Sequence, residues 1–299
     1  MSSLTPRQLL DAARSGDLDR LGAEPNAVAD AVRSFANAGD GASALALAAG
    51  AWRIWLSRGE LEQGSAVLSL ALDAPGAGDP SPARARVLYA DGLFAFRKGN
   101  QERSRARNEE ALRVARAAFD PRGECDALTG LARVALRDGD YARVAEFAEE
   151  ARRRAQAAGD REAEAGPLHL LAAGIRLGGD YGRARDLYAE SLELNRGLGK
   201  AAWVTMELHN LGWVELHLGD VKTAASRFRE RDSGPEEDAQ SRAWRNLNWA
   251  AVAAARGDEL EARRLFAEGK EALANLGMAL DPDDKFELGW LSEKLNTSL

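Results

Sequence analysis

The 299-residue chain has one cysteine, three histidines and, by its sequence, six lysines among 40 basic side chains. A lone Cys125 cannot form an internal disulfide or a multi-cysteine zinc site, and it fits a reducing compartment. His169, His209 and His217 include no pair four residues apart, the spacing by which two histidines share a zinc ion on one helix. No run approaches the roughly 18 uncharged apolar residues of a spanning helix, so no membrane role is expected. Residues Met1 to Gln8 lack the apolar core of a secretory signal. The expectation is a cytoplasmic protein. Net charge is −7, and the basic stretches Arg152-Arg153-Arg154 and Arg103 to Arg116 alternate with acids and read as solvated faces, so no direct nucleic-acid partner is expected. No Gly-x-Ser-x-Gly elbow occurs. The nearest approach to a phosphate loop, Gly197 to Lys200, has Leu194 where its first glycine should stand and Ala201 after the lysine. No cofactor or metal is expected.

Hydrophobic residues make up 45% of the chain, enough to exclude a disordered protein. They are organised by a period. Gly59, Gly99, Gly139, Gly179, Gly219 and Gly257, each followed by Asp, Asn or Glu, are spaced 40, 40, 40, 40 and 38 residues apart. Glycine can end a helix in the left-handed conformation, and the next acid or amide can cap the following helix. Each pair therefore reads as a tight turn between antiparallel helices. A second set of turns falls between them: Gly39-Asp40, Asp79 to Pro82, Asp120-Pro121, Gly159-Asp160, Gly197 to Lys200 and Ser233 to Pro235.

Aligned on the turn glycine, the units share small residues at two positions. Seven before it stand Gly92, Ala132, Ala172, Gly212 and Ala250; five after it stand Gly64, Ser104, Ala184, Ala224 and Ala262, with Val144 the exception. Small residues at matched places let helix axes approach closely. Leu88, Leu128, Leu168 and Leu208, then Leu68, Tyr188, Phe228 and Phe266, would fill the space around that contact.

The segments LGWVELHLGDVKTA (211–224), LARVALRDGDYARV (131–144) and GDYGRARDLYAESL (179–192) resemble the tetratricopeptide repeat. The 40-residue unit is longer than the usual one and is similar to the C-terminal repeat region of bacterial ATPase-type transcription regulators. The resemblance implies an all-α, right-handed α-solenoid of about six tetratricopeptide-like helix pairs with helical caps. The expected division is N-terminal capping helices over 1–40, six pairs over 41–275, and a C-terminal capping helix over 276–299 after Asp281-Pro282. Pro167 falls inside an expected helix and predicts a kink or a late start. Gly174 weakens the same helix. Arg107 and Asn108 occupy places that are apolar in neighbouring units. Trp52 and Trp55 are expected to fill the first seam; exposed, they would mark a dimer surface.

In a solenoid of this kind the first helix of each pair lines the concave side. The resemblance places Arg86, Tyr89, Phe96 and Arg97 of the second unit on that face, with Asp126, Arg133 and Arg137 of the third. It adds His169 and Arg176 of the fourth, His209, Trp213 and His217 of the fifth, and Trp244 of the sixth. Arginine grips carboxylates with a two-pronged hydrogen bond, and aromatic rings give flat apolar area at little entropic cost. The leading reading is a non-enzymatic adaptor or regulator that binds a peptide or protein partner in this groove. The resemblance links it to transcription-coupled signalling. The alternative is a small-molecule sensor or sequestering resistance protein, with a closed pocket near Tyr89, Phe96, Trp213 and Trp244 for a planar anionic ligand. An enzyme would need His169 or His209 to converge with Asp126.

Overall fold

A computed structural model describes residues 4–234, 239–276, 280 and 282–297. Among these, every regular element is a helix. Three helices come first: α1 (Pro6–Ser15), α2 (Leu18–Ala23) and α3 (Pro25–Asn37). Six pairs follow: α4 (Gly41–Arg58) with α5 (Leu61–Leu72), α6 (Pro82–Arg97) with α7 (Gln101–Ala117), and α8 (Pro121–Asp138) with α9 (Tyr141–Ala157). Then come α10 (Arg161–Leu177) with α11 (Tyr181–Gly197), α12 (Ala201–His217) with α13 (Val221–Asp232), and α14 (Ala239–Arg256) with α15 (Glu259–Asn275). A last helix, α16, spans Pro282–Lys294. Pro235 and Asp281, expected at turns, lie outside the described residues.

The chain forms two compact units, Met1–Val134 with Glu150–Ala163 and Ala135–Glu149 with Glu164–Leu299. In the first, α1 and α3 pack on α4, and α4, α5, α6 and α7 pack in succession. Its core holds Leu47, Trp55, Leu68, Leu88 and Phe94, with Trp52 also buried. In the second, α11 to α15 pack in succession and α14 also meets α16. Its core holds Tyr188, Leu211, Trp213, Phe228 and Phe266.

Local chemistry explains the helix boundaries. All six periodic glycines have φ between 71° and 92°, where a Cβ is unwelcome. At one such turn Gly179 N–H donates to the Arg176 carbonyl and Asp180 N–H to the Ile175 carbonyl, at 2.9 and 3.1 Å. That doubly bonded ending satisfies two carbonyls the helix leaves free. The following side chain then caps the next helix. Asn100, Asp140, Asp180 and Asp220 each accept from the backbone N–H three residues on, at 3.0 or 3.1 Å.

The small-residue seam is tight in both units. A Cβ on Gly64 would lie 2.2 Å from Phe94 Cε2, and one on Gly212 would lie 2.2 Å from Phe228 Cε1. The exceptions compensate one another. Val144 is large where other units are small, and Gly174 leaves room for it, since a Cβ there would lie 2.7 Å from Val144 Cγ1. Asn108 is buried between Gly92 and Gly130, whose missing side chains open the space. Its amide donates to the Ser104 carbonyl at 2.8 Å. Arg107 turns to Asp91, a fully buried carboxylate that it shares with Arg103 at 2.8 and 2.9 Å.

Pro167 lies inside α10, which starts six residues earlier at Arg161, so the late start does not occur. The proline cannot donate to the Ala163 carbonyl. The Cys125 thiol lies 3.7 Å from that oxygen. Burial, reinforced by Asp126, pushes the thiol up to about 12, so it stays protonated and can act as the missing donor.

One turn carries an uncompensated cost. Phe119 has φ of 53°, like Gly39, Gly159 and Gly199 at the corresponding turns, and its side chain is 91% exposed. A left-handed non-glycine residue costs about 1–2 kcal/mol, and here no burial offsets it. Phe119→Gly is expected to raise stability by about 0.5–1 kcal/mol after the greater chain entropy of glycine is subtracted. Urea unfolding checks this; a lower midpoint would contradict it.

Candidate functional site

In the first unit, the charges of Arg122, Arg86 and Arg53 act on one carboxylate, Asp126. Arg53 comes from α4, Arg86 and Tyr89 from α6, Asp126 and Arg133 from α8. Arg133 Nη1 donates to Tyr89 Oη at 3.1 Å. Asp126 accepts from Arg122 Nε at 3.2 Å. Burial raises the Asp126 pKa, against the opposing pull of Arg122, Arg86 and Arg53. Arg122 is further neutralised by Asp160, 2.6 Å away. The Arg53 guanidinium lies 4.5 Å from the centre of the Trp52 ring, and Trp52 meets Tyr89 edge-on with centroids 6.1 Å apart.

The charge on this face is unbalanced. Arg86 and Arg97 are exposed, and neither has an ion-pair partner among the described residues. Arg133 is half-buried and Tyr89 buried. Phe96 is half-buried, as is Arg137, which stands on the part of α8 that belongs to the second unit. The face can therefore offer guanidinium donors, an aromatic floor and one carboxylate to a ligand.

In the second unit the candidates are engaged. His169 Nδ1 lies 3.1 Å from Glu207 Oε1, and Ser191 Oγ donates to the same oxygen at 2.7 Å. Burial lowers the His169 pKa, but the Glu207 charge and hydrogen bond outweigh it and the net shift is upward. His209 shifts the other way. Burial drives its pKa well below the ordinary value, helped by Arg231 and Arg176, so the ring is neutral. It sits edge-on to Trp244, with centroids 5.1 Å apart. Trp244 is buried, and Trp213 is fully buried with Nε1 donating to Asn248 Oδ1 at 2.9 Å.

The remaining two candidates meet α16. Arg176, fully buried on α10, pairs with Glu287 and lies 3.3 Å from Asp283. His217 Nε2 is 3.0 Å from Glu287 Oε2. Its ring stacks on Tyr181 at 4.6 Å and meets Phe286 and Trp290 at 5.4 and 5.5 Å. Trp290 also stands edge-on to Trp213, 5.8 Å away. Thus Arg176, Trp213 and His217 come together, with α16 lying over them.

Sequence reasoning missed Glu207, Asn248, Asp283 and Glu287. A signal existed for Glu207, an acid inside the apolar stretch VTMELHNLGWVELH, where a buried charge needs a partner. No local signal assigns Glu287 to Arg176, 111 residues away. Among the described residues, no three His, Cys, Asp or Glu side chains stand close enough to share a metal ion. No described helix is long and apolar enough to cross a membrane.

No protein-family model matches the chain, and no curated protein matches it. Solved structures do. A Rap protein complexed with competence and sporulation factor is 14% identical with a TM-score of 0.64, covering 98% of this chain and 87% of that one. A tetratricopeptide repeat protein from Parabacteroides merdae is 13% identical with a TM-score of 0.57, covering 97% of each. The Rap conjugation gene regulator of plasmid pLS20, in complex with the Phr* peptide, is 14% identical with a TM-score of 0.53, covering 89% of this chain and 84% of that one. At such identities the likeness establishes the fold: consecutive helix pairs of the tetratricopeptide-repeat kind.

Proposed function

We propose that the chain is a non-enzymatic, cytoplasmic interaction module that binds an acidic peptide segment of a protein partner on the first-helix face of its N-terminal unit. One observation carries this reading. The charges of Arg86 and Arg53 act on the Asp126 carboxylate, which Arg122 already holds, the Asp126 charge acts in turn on Arg133, and Arg86 has no ion-pair partner among the described residues. A face with surplus guanidinium groups beside aromatic rings favours carboxylates, which arginine holds with two parallel hydrogen bonds. One structural neighbour was solved with a peptide bound, which suits a peptide ligand. The resemblance to transcription regulators suits a role as a signalling adaptor.

The aromatic walls a planar small molecule would need are already occupied. Trp213 and Trp244 are buried against protein side chains, and Tyr89 holds Arg133. The histidines likewise have structural partners or aromatic neighbours, which favours binding over catalysis.

Fluorescence anisotropy against an array of short synthetic peptides rich in Glu with one Trp tests the proposal. Arg86→Glu and Arg133→Ala are each expected to weaken the best binder by about tenfold or more. Arg263→Glu, on second helix α15 beside Glu259, should leave it unchanged. Equal affinity in all three variants, or affinity indifferent to salt, would sink the reading.

A further inference from the structure

Helix α16 contacts the rest of the second unit through two stripes. Asp283 and Glu287 are four residues apart, as are Phe286 and Trp290, so each pair stacks along the helix. The acids meet Arg176 and His217; the aromatics meet His217 and Trp213. This is side-chain chemistry of the kind a bound peptide uses, and here it is supplied in cis.

The fit at its centre is incomplete. Arg176 is fully buried, yet its Nε and Nη2 have no hydrogen-bond partner among the described residues. Asp283 Oδ1 lies 3.3 Å from Nη2, near enough for attraction but misdirected for a hydrogen bond. Glu287 engages Nη1 alone. The paired Nε and Nη2 donors, the edge that takes a carboxylate two-pronged, are left unused. Unmet buried donors are costly, and a buried ion pair adds little net stability over apolar packing. A segment whose carboxylate reaches that edge would make hydrogen bonds that α16 does not.

We propose that the α10–α12 face is a peptide-binding site occupied in cis by α16, and that its partner is a helical segment with acids four residues apart and aromatics four residues apart, the pattern α16 displays. Binding in trans displaces α16. Arg176, Trp213, His217 and α16 all lie within the second unit, so this site is independent of the arginine face of the first.

The probe is a fluorescein-labelled synthetic peptide of residues 282–294, titrated into the full chain. Glu287→Gln with Trp290→Ala loosens α16 and is expected to tighten peptide binding about tenfold or more, because the competing cis helix is weakened. Adding Arg176→Lys, which keeps the charge but loses the planar fork, should reverse that gain. Arg263→Glu, on α15, should leave this affinity unchanged, and the gain on loosening α16 should persist in an Arg86→Glu background, which separates the site from the one in the first unit. Equal peptide affinity in the wild type and the loosened chain overturns the proposal. So does a dimer that exchanges α16 between copies, which would assign the site to a second chain. If the loosened variant fails to fold, hydrogen exchange on the wild type decides. The amides of α16 are expected to exchange about tenfold or more faster than those of α10 and α12; equal protection overturns cis displacement.

Discussion

Trp213→Ala is expected to lower the stability of the second unit by about 3–5 kcal/mol, the usual cost of truncating a buried tryptophan. The ring is fully buried, with Phe228 and Trp290 edge-on to it at 6.4 and 5.8 Å. Truncation leaves a cavity among side chains that already pack on other elements. It also strips Asn248 Oδ1 of its indole donor, and an orphaned buried acceptor carries a further penalty. A tryptophan lining an open groove would behave otherwise, since its removal would touch ligand binding and leave stability nearly unchanged. Urea unfolding followed by circular dichroism separates the two. A midpoint within error of the wild type would return Trp213 to the groove.

Gly64→Ala pits two effects against each other. In a helix interior the change from glycine to alanine favours folding by about 0.5–1 kcal/mol. Here the new methyl would lie 2.2 Å from Phe94 Cε2 and 2.9 Å from Trp55 Cβ. Both neighbours are fully buried, so neither has free space to enter. Overpacking of this kind costs about 1–3 kcal/mol, and steric cost is expected to win, giving net destabilisation in the first unit. Phe94→Leu in the same chain should recover part of the loss, because it removes the ring atoms in conflict. A stabilised single variant would show that the α4–α5–α6 seam is looser than its distances imply.

The glycine period was legible because a left-handed helix ending is a local requirement, and so were the Asp and Asn caps that follow it. The helix pairs and the small-to-large seam followed from the same alignment. At one inter-pair turn the pattern is broken by Phe119, whose left-handed backbone the residue type does not announce.

The site was harder, since equal register does not mean equal surroundings. Arg133 and Trp213 occupy the same place relative to their turn glycines, six residues before them. Arg133 stays half-buried beside Tyr89, while Trp213 is closed over by Phe228, Trp290 and His209. Part of that enclosure comes from α16, which supplies Trp290. Its apolar residues Phe286 and Leu291 do not by themselves say which helices receive them. The partnership of Glu287 with Arg176 and His217 is tertiary, with no local pattern to carry it. The buried Glu207 could have been anticipated as a charge in need of a partner, though not that His169 and Ser191 would supply it.

If the first-helix faces are the working surface of the chain, a bound peptide protects them. Hydrogen exchange of the full chain, with and without the best acidic peptide from the array, tests that most directly. Slowed exchange on α6 and the first part of α8, with α7 and α15 unaffected, is the predicted footprint. A footprint confined to the second helices of the pairs would contradict it.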